Sequence, residues 1–92
     1  MTAGIDVTPD GPERFRVEIR ERGTRTVHVV TLREADRARL GGDVEAAVLV
    51  ERSVEFLLER EPKEAILARF DLPVIGRYFP EYEDDIRRRV GA

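Results

Sequence analysis

The chain has 92 residues, a net charge of −3 and no cysteine. That length holds a single domain with a hydrophobic core. The missing thiols exclude disulfides, thiolate metal ligands and a cysteine nucleophile, and they fit a reducing, cytoplasmic setting. The longest purely apolar run, Ala46 to Val50, is too short to cross a membrane. No basic start leads into an apolar stretch, so no signal peptide is expected.

Residues 1–12 contain Gly4, Pro9, Gly11 and Pro12 and read as a flexible N-terminal tail before a single domain at 13–90. The period then becomes two. Phe15, Val17 and Ile19 alternate with Arg14, Arg16, Glu18 and Arg20, the pattern of a half-buried strand. A turn at Glu21–Thr24, with Gly23 free to take positive φ, leads to a β-branched second strand from Arg25 to Leu32.

Thr31 and Glu34 have the spacing of a capping box and predict a short helix through Leu40, stopped by Gly41 and Gly42. Asp43 is a candidate N-cap for the longest helix, Val44 to Arg60. Ala46, Ala47, Val50, Val54, Leu57 and Leu58 share one broad face of it. Leu49 and Phe56 form a second apolar strip on the opposite side. Such a helix is sandwiched inside the domain or meets another chain.

Pro62 fits the first turn of a further helix carrying Ile66, Leu67 and Phe70. Asp71 can cap another, with Pro73 in its first turn. After Pro80 the last helix places Tyr82, Ile86 and Val90 in line. Its acidic start and basic end suit the helix dipole. A hairpin followed only by helices argues an α+β fold, an N-terminal antiparallel β-hairpin packed on a C-terminal bundle of short helices.

The chemical inventory is thin. Asn, Gln and Trp are absent, Ser53 is the only serine, His28 the only histidine and Lys63 the only lysine. Ser53 sits mid-helix without a nucleophile elbow, so a triad with His28 is disfavoured. One histidine and no cysteine exclude the common zinc frameworks, and the row Glu51, Glu55, Glu59 reads as a solvated face. No cofactor and no metal site is expected. Gly41-Gly42 precedes a helix but shows no phosphate-binding motif.

Three candidate binding features remain. Residues 65–78 resemble a degenerate helix-turn-helix, though Asp71 stands where the turn wants Gly and only Arg77 could reach bases. Arg14, Arg16, Arg20 and Arg22 could contact phosphates through the hairpin, broken by Glu18, or could meet the acidic helix stripe. Tyr78, Phe79 and Tyr82 beside Arg77 form an aromatic cluster of the kind found in cores and at interface hot spots.

The stretch FLLEREPKEAILARFDLPVIGRYFPEYEDDI, from Phe56 to Ile86, together with HVVTL and the paired Gly41-Gly42, resembles a group of small bacterial proteins of about this chain's length with no assigned function. The resemblance implies a small bacterial domain and transfers no activity and no site residue. The sequence therefore predicts a non-catalytic protein-interaction or regulatory module, with Leu49, Phe56, Arg77, Tyr78 and Tyr82 as its surface and a protein or a second copy as partner. The alternative is a nucleic-acid-associated regulator. No membrane partner is expected.

Overall fold

The computed structural model describes residues 3–91. Its backbone is α+β, but the sheet is larger than a hairpin. Strands β1 (Gly4–Pro9), β2 (Arg14–Glu21), β3 (Thr24–Thr31) and β4 (Arg69–Asp71) lie in the order β1-β2-β3-β4. The first three pair antiparallel, and β4 runs parallel to β3, with Val30 opposite Phe70.

The expected N-terminal tail is corrected by β1. Ile5 pairs with Ile19 and Val7 with Val17, so its apolar residues join the inner face while Asp6 and Thr8 face outward. Residues 1 and 2 of that tail lie outside the described residues. Arg22 and Gly23 form the two-residue loop between β2 and β3, and both take positive φ, 55° and 79°. That is the turn whose twist matches the flanking strands.

A parallel neighbour requires a crossover, and helices α1 (Glu34–Gly41) and α2 (Ala46–Leu58) supply it. The capping residues differ from expectation. Neither Thr31 nor Asp43 caps a helix; the N-caps are Arg33 and Glu45, with no side-chain bond. Instead the Glu13 carboxylate accepts the Glu34 N–H at 2.9 Å, an acidic group placed at a helix start. Arg37 reaches out of α1 to the carbonyls of Gly42 and Val44, at 2.7 and 2.9 Å, and so holds the link that Asp43 was expected to organise.

After α2 the expected helix over 62–70 does not form. The chain makes a 3-10 turn at Lys63–Ala65, the strand β4, a second 3-10 turn at Leu72–Val74 and a single-turn helix α3 (Ile75–Tyr78). The helix-turn-helix expectation for residues 65–78 is thereby overturned, because a sheet strand occupies its centre. Helix α4 (Tyr82–Val90) follows as expected, ended by Gly91 in the left-handed conformation.

The core lies between the inner face of the sheet and the helices. It includes Phe15, Val17, Ile19, Val30, Leu40, Val50, Val54, Ile75 and Ile86. Helix α2 packs against β1, α1 and α4, which is why it carries apolar residues on more than one face. Leu49 and Phe56 are fully buried, so the expectation that they form an exposed interaction strip is corrected. Phe56 sits edge-on to Phe79 and Tyr82, with ring centroids 6.0 and 5.2 Å away, and the Arg60 guanidinium covers it at 3.5 Å.

Candidate functional site

The segment that departs most from helical expectation builds a feature with the shape of a docking site. The end of α2, the Lys63–Ala65 turn, β4 and α3 enclose a groove of about 310 Å³. Leu57, Ile66 and Ile75 are buried in its floor, and Phe70 and Phe79 are half-buried beside them. Its rim carries Leu67 and Tyr78, 49% and 66% exposed, large apolar groups left facing water. Ligand sites are typically apolar concavities with a few placed polar groups, and this one is at the lower end of their usual size.

The wall bearing Leu67 is fastened to the sheet. The Leu67 carbonyl can only accept, so His28 Nδ1–H donates to it at 2.8 Å, and His28 Nε2 accepts from the Thr26 hydroxyl at 2.8 Å. The neighbouring Val29 N–H donates to the Ala68 carbonyl at 2.8 Å. His28 is 3% exposed and both ring nitrogens are engaged, the arrangement of a structural histidine. Lys63 is also buried, its ammonium bonded to Glu64 at 2.8 Å, and that bond holds the Glu64 carboxyl below its ordinary range.

Glu61 is the single charged residue in the groove lining. Among the described residues it has no ion-pair partner, although basic residues stand close in sequence. Arg60 turns to Glu81 at 3.0 Å and to the Phe56 carbonyl, and Lys63 turns to Glu64. Glu61 follows the last turn of α2, which contains no basic residue.

The residues singled out from sequence divide sharply. Tyr78 lies on the groove rim, and Arg77 beside it on α3 is exposed without an ion-pair partner among the described residues. Tyr82 is a core residue, not a surface one. It is fully buried, and its hydroxyl donates to Ser53 Oγ at 2.7 Å while Ser53 donates to the Leu49 carbonyl at 2.8 Å. Burial pushes the Tyr82 phenol well above its ordinary range, against a smaller opposing effect of the Ser53 hydrogen bond. Ser53 and His28 have entirely separate partners, so the structure assembles no nucleophile and base from them.

The arginines lie on the outer, uncovered face of the sheet, but carboxylates interleave them. Glu18 meets Arg16, Arg20 and Arg25 at 3.8, 3.0 and 3.5 Å; Asp6 meets Arg20 at 2.7 Å; Asp10 meets Arg14 at 3.5 Å. Arg22 is in the turn and so stands off that face. The acidic stripe on α2 does not meet these arginines. Glu55 pairs with Arg52, and Glu59 with Arg60 and Arg89.

Among the described residues no group of three or more His, Asp or Glu could hold a metal ion, and no helix is long and apolar enough to cross a membrane. Sequence reasoning missed Phe70, Val74 and Leu67 as site residues, because their spacing also fits helix faces turned to a core. Comparison with protein-family models, with curated proteins and with solved structures finds no match to this chain.

Proposed function

We propose that this domain is a non-catalytic protein-interaction or regulatory module that docks a partner in the groove between the end of α2, β4 and α3. The observation that carries the reading is the exposure of Leu67 and Tyr78 on the rim of an otherwise apolar concavity. Aromatic anchors in such places dominate binding energy at interfaces. The chemistry around the groove supports the reading too: its lining offers a single carboxylate and no histidine, serine or lysine.

Leu67→Asp and Tyr78→Asp test it. Both side chains are exposed, so each variant keeps its fold by circular dichroism. Each is expected to weaken partner binding or self-association by a factor of ten or more, on the order of 1.4–3 kcal/mol. Arg16→Glu, on the uncovered sheet face, is the control that leaves groove binding unchanged. Equal capture by all three baits would sink the reading.

A second reading keeps nucleic acid as the partner, through Arg14, Arg16, Arg20 and Arg22. What favours it is that Arg22 and Arg69 lack ion-pair partners among the described residues, and that basic groups outnumber acidic ones on that sheet face. The interleaved Glu18, Asp6 and Asp10 weigh against it. It predicts oligonucleotide binding that falls steeply with salt. A flat anisotropy titration at low ionic strength would dispose of it.

A further inference from the structure

We propose that the groove receives an apolar side chain of a partner polypeptide that carries a lysine or arginine next to that anchor, the cation meeting Glu61. The inference rests on the docking reading and adds the chemistry of the partner.

Three observations converge on it. The lining of Leu57, Ala65, Ile66, Leu67, Phe70 and the α3 residues is suited to an aliphatic or aromatic anchor, and about 310 Å³ accommodates side chains rather than a folded element. Glu61 is the one charge in that lining, and it has no cation of its own among the described residues. This is unusual within the segment, where Glu59, Glu64 and Glu81 are all matched to arginine or lysine.

The third observation is the end of α2. A helix C-terminus carries a partial negative charge, and a cation there is stabilising. The last turn of α2 has no basic residue; Arg60, just beyond it, donates to the Phe56 carbonyl and pairs with Glu59, Glu81 and Asp85, and so is not turned to Glu61. Glu61 thus adds a full negative charge beside an end whose nearby cation, Arg60, is already shared between a carbonyl and other carboxylates. A partner's ammonium or guanidinium beside the groove neutralises Glu61, while a partner carboxylate there is repelled. Arg77 does not line the groove and forms no ion pair with Glu61 among the described residues.

Three blocked dipeptides with one aromatic anchor test the charge rule: acetyl-Phe-Lys-amide, acetyl-Phe-Gln-amide and acetyl-Phe-Glu-amide, titrated into the ¹⁵N-labelled chain at low ionic strength. The expected result is chemical-shift change confined to the groove, Leu67, Phe70 and Tyr78 above all. The lysine peptide binds roughly threefold to fivefold tighter than the glutamine peptide, the size of a partly exposed ion pair, and the glutamate peptide binds weakest. Glu61→Gln abolishes the lysine preference without changing the affinity of the glutamine peptide, and Glu61→Lys reverses the order.

Equal affinities of all three peptides in the groove would overturn the charge rule and leave the docking reading standing. Shifts that map elsewhere, or none at millimolar peptide, would overturn the inference. So would a concentration-dependent dimer in sedimentation equilibrium that buries Tyr78 and excludes all three peptides, because the occupant would then be a second copy. The docking reading is decided separately, by the binding loss in Leu67→Asp and Tyr78→Asp.

Discussion

Arg22 shows how local geometry constrains a residue whose chemistry suggests something else. Its φ of 55° serves the hairpin, and a side chain with a Cβ is strained there. Asn tolerates that conformation best among residues other than Gly, so Arg22→Asn is expected to raise stability by about 0.5–1 kcal/mol, read as an increase in the urea midpoint. If Arg22 is held for binding, the same variant loses the binding and gains the stability. Tyr82 is the converse case, a residue read from sequence as surface that the core claims. Tyr82→Phe deletes its bond to Ser53 while Ser53 keeps the Leu49 carbonyl, so the expected loss is about 1 kcal/mol by denaturant unfolding. The inward set Phe15, Val17, Ile19, Val50, Val54 and Ile86 was legible because strict periodicity leaves only one face for each. Leu49 and Phe56 were not, since periodicity shows that a helix has two apolar strips and cannot say that α1, α4 and β1 are there to cover both.

At the scale of elements, β1 and β4 are the informative departures. The alternation Ile5, Asp6, Val7, Thr8 was present, but the flanking Gly4, Pro9, Gly11 and Pro12 outweighed it. Pro9 is tolerable because β1 is an edge strand. Deleting residues 1–10 is therefore expected to cost roughly 3 kcal/mol or more, since it bares β2 and removes Ile5 and Val7 from α2. Chemical denaturation of the truncated chain measures it; an unchanged midpoint would mean that β1 contributes nothing. Strand β4 has only three residues, too few for any period to show, and its flanking Ile66, Leu67 and Phe70 match helical spacing. What makes that segment a strand is tertiary: the exposed ladder of β3 needs a partner, and His28 holds the chain at Leu67 to supply one. The groove was illegible for the same reason, because it exists only where that strand turns back into α3.

Across the whole molecule, charge is organised as pairs rather than as a field. The acidic start and basic end of α4 were readable, but their partners just past the end of α2 were not. Arg89 bonds Glu59 at 2.9 Å and also Asp85, while Arg60 bonds Glu81 at 3.0 Å. The Arg89 hydrogen bonds hold the carboxyls of Glu59 and Asp85 below their ordinary values, and Arg89 itself is raised. A depressed carboxyl contributes stability that is complete above its unfolded pKa and is lost as pH falls through the folded one. Unfolding free energy should thus be level above about pH 5 and decline below the ordinary carboxylate range near pH 4. Arg89→Leu should flatten that acid limb. An acid limb unaltered in Arg89→Leu would assign acid sensitivity to other carboxylates. Because these groups are partly exposed, the limb should also weaken in high salt.

The bond from the Val29 amide to the Ala68 carbonyl carries a consequence for dynamics. It joins an interior strand to a three-residue edge, and short edges open more readily than the sheet behind them. The proton on Val29 is therefore a clock for the groove wall: it trades with solvent deuterium each time residues 67–69 lift away, while Val17 and Ile19 keep theirs. An occupant seated against Leu67 and Phe70 would close the wall and slow that clock, so a single amide in the sheet would report on binding that it never touches.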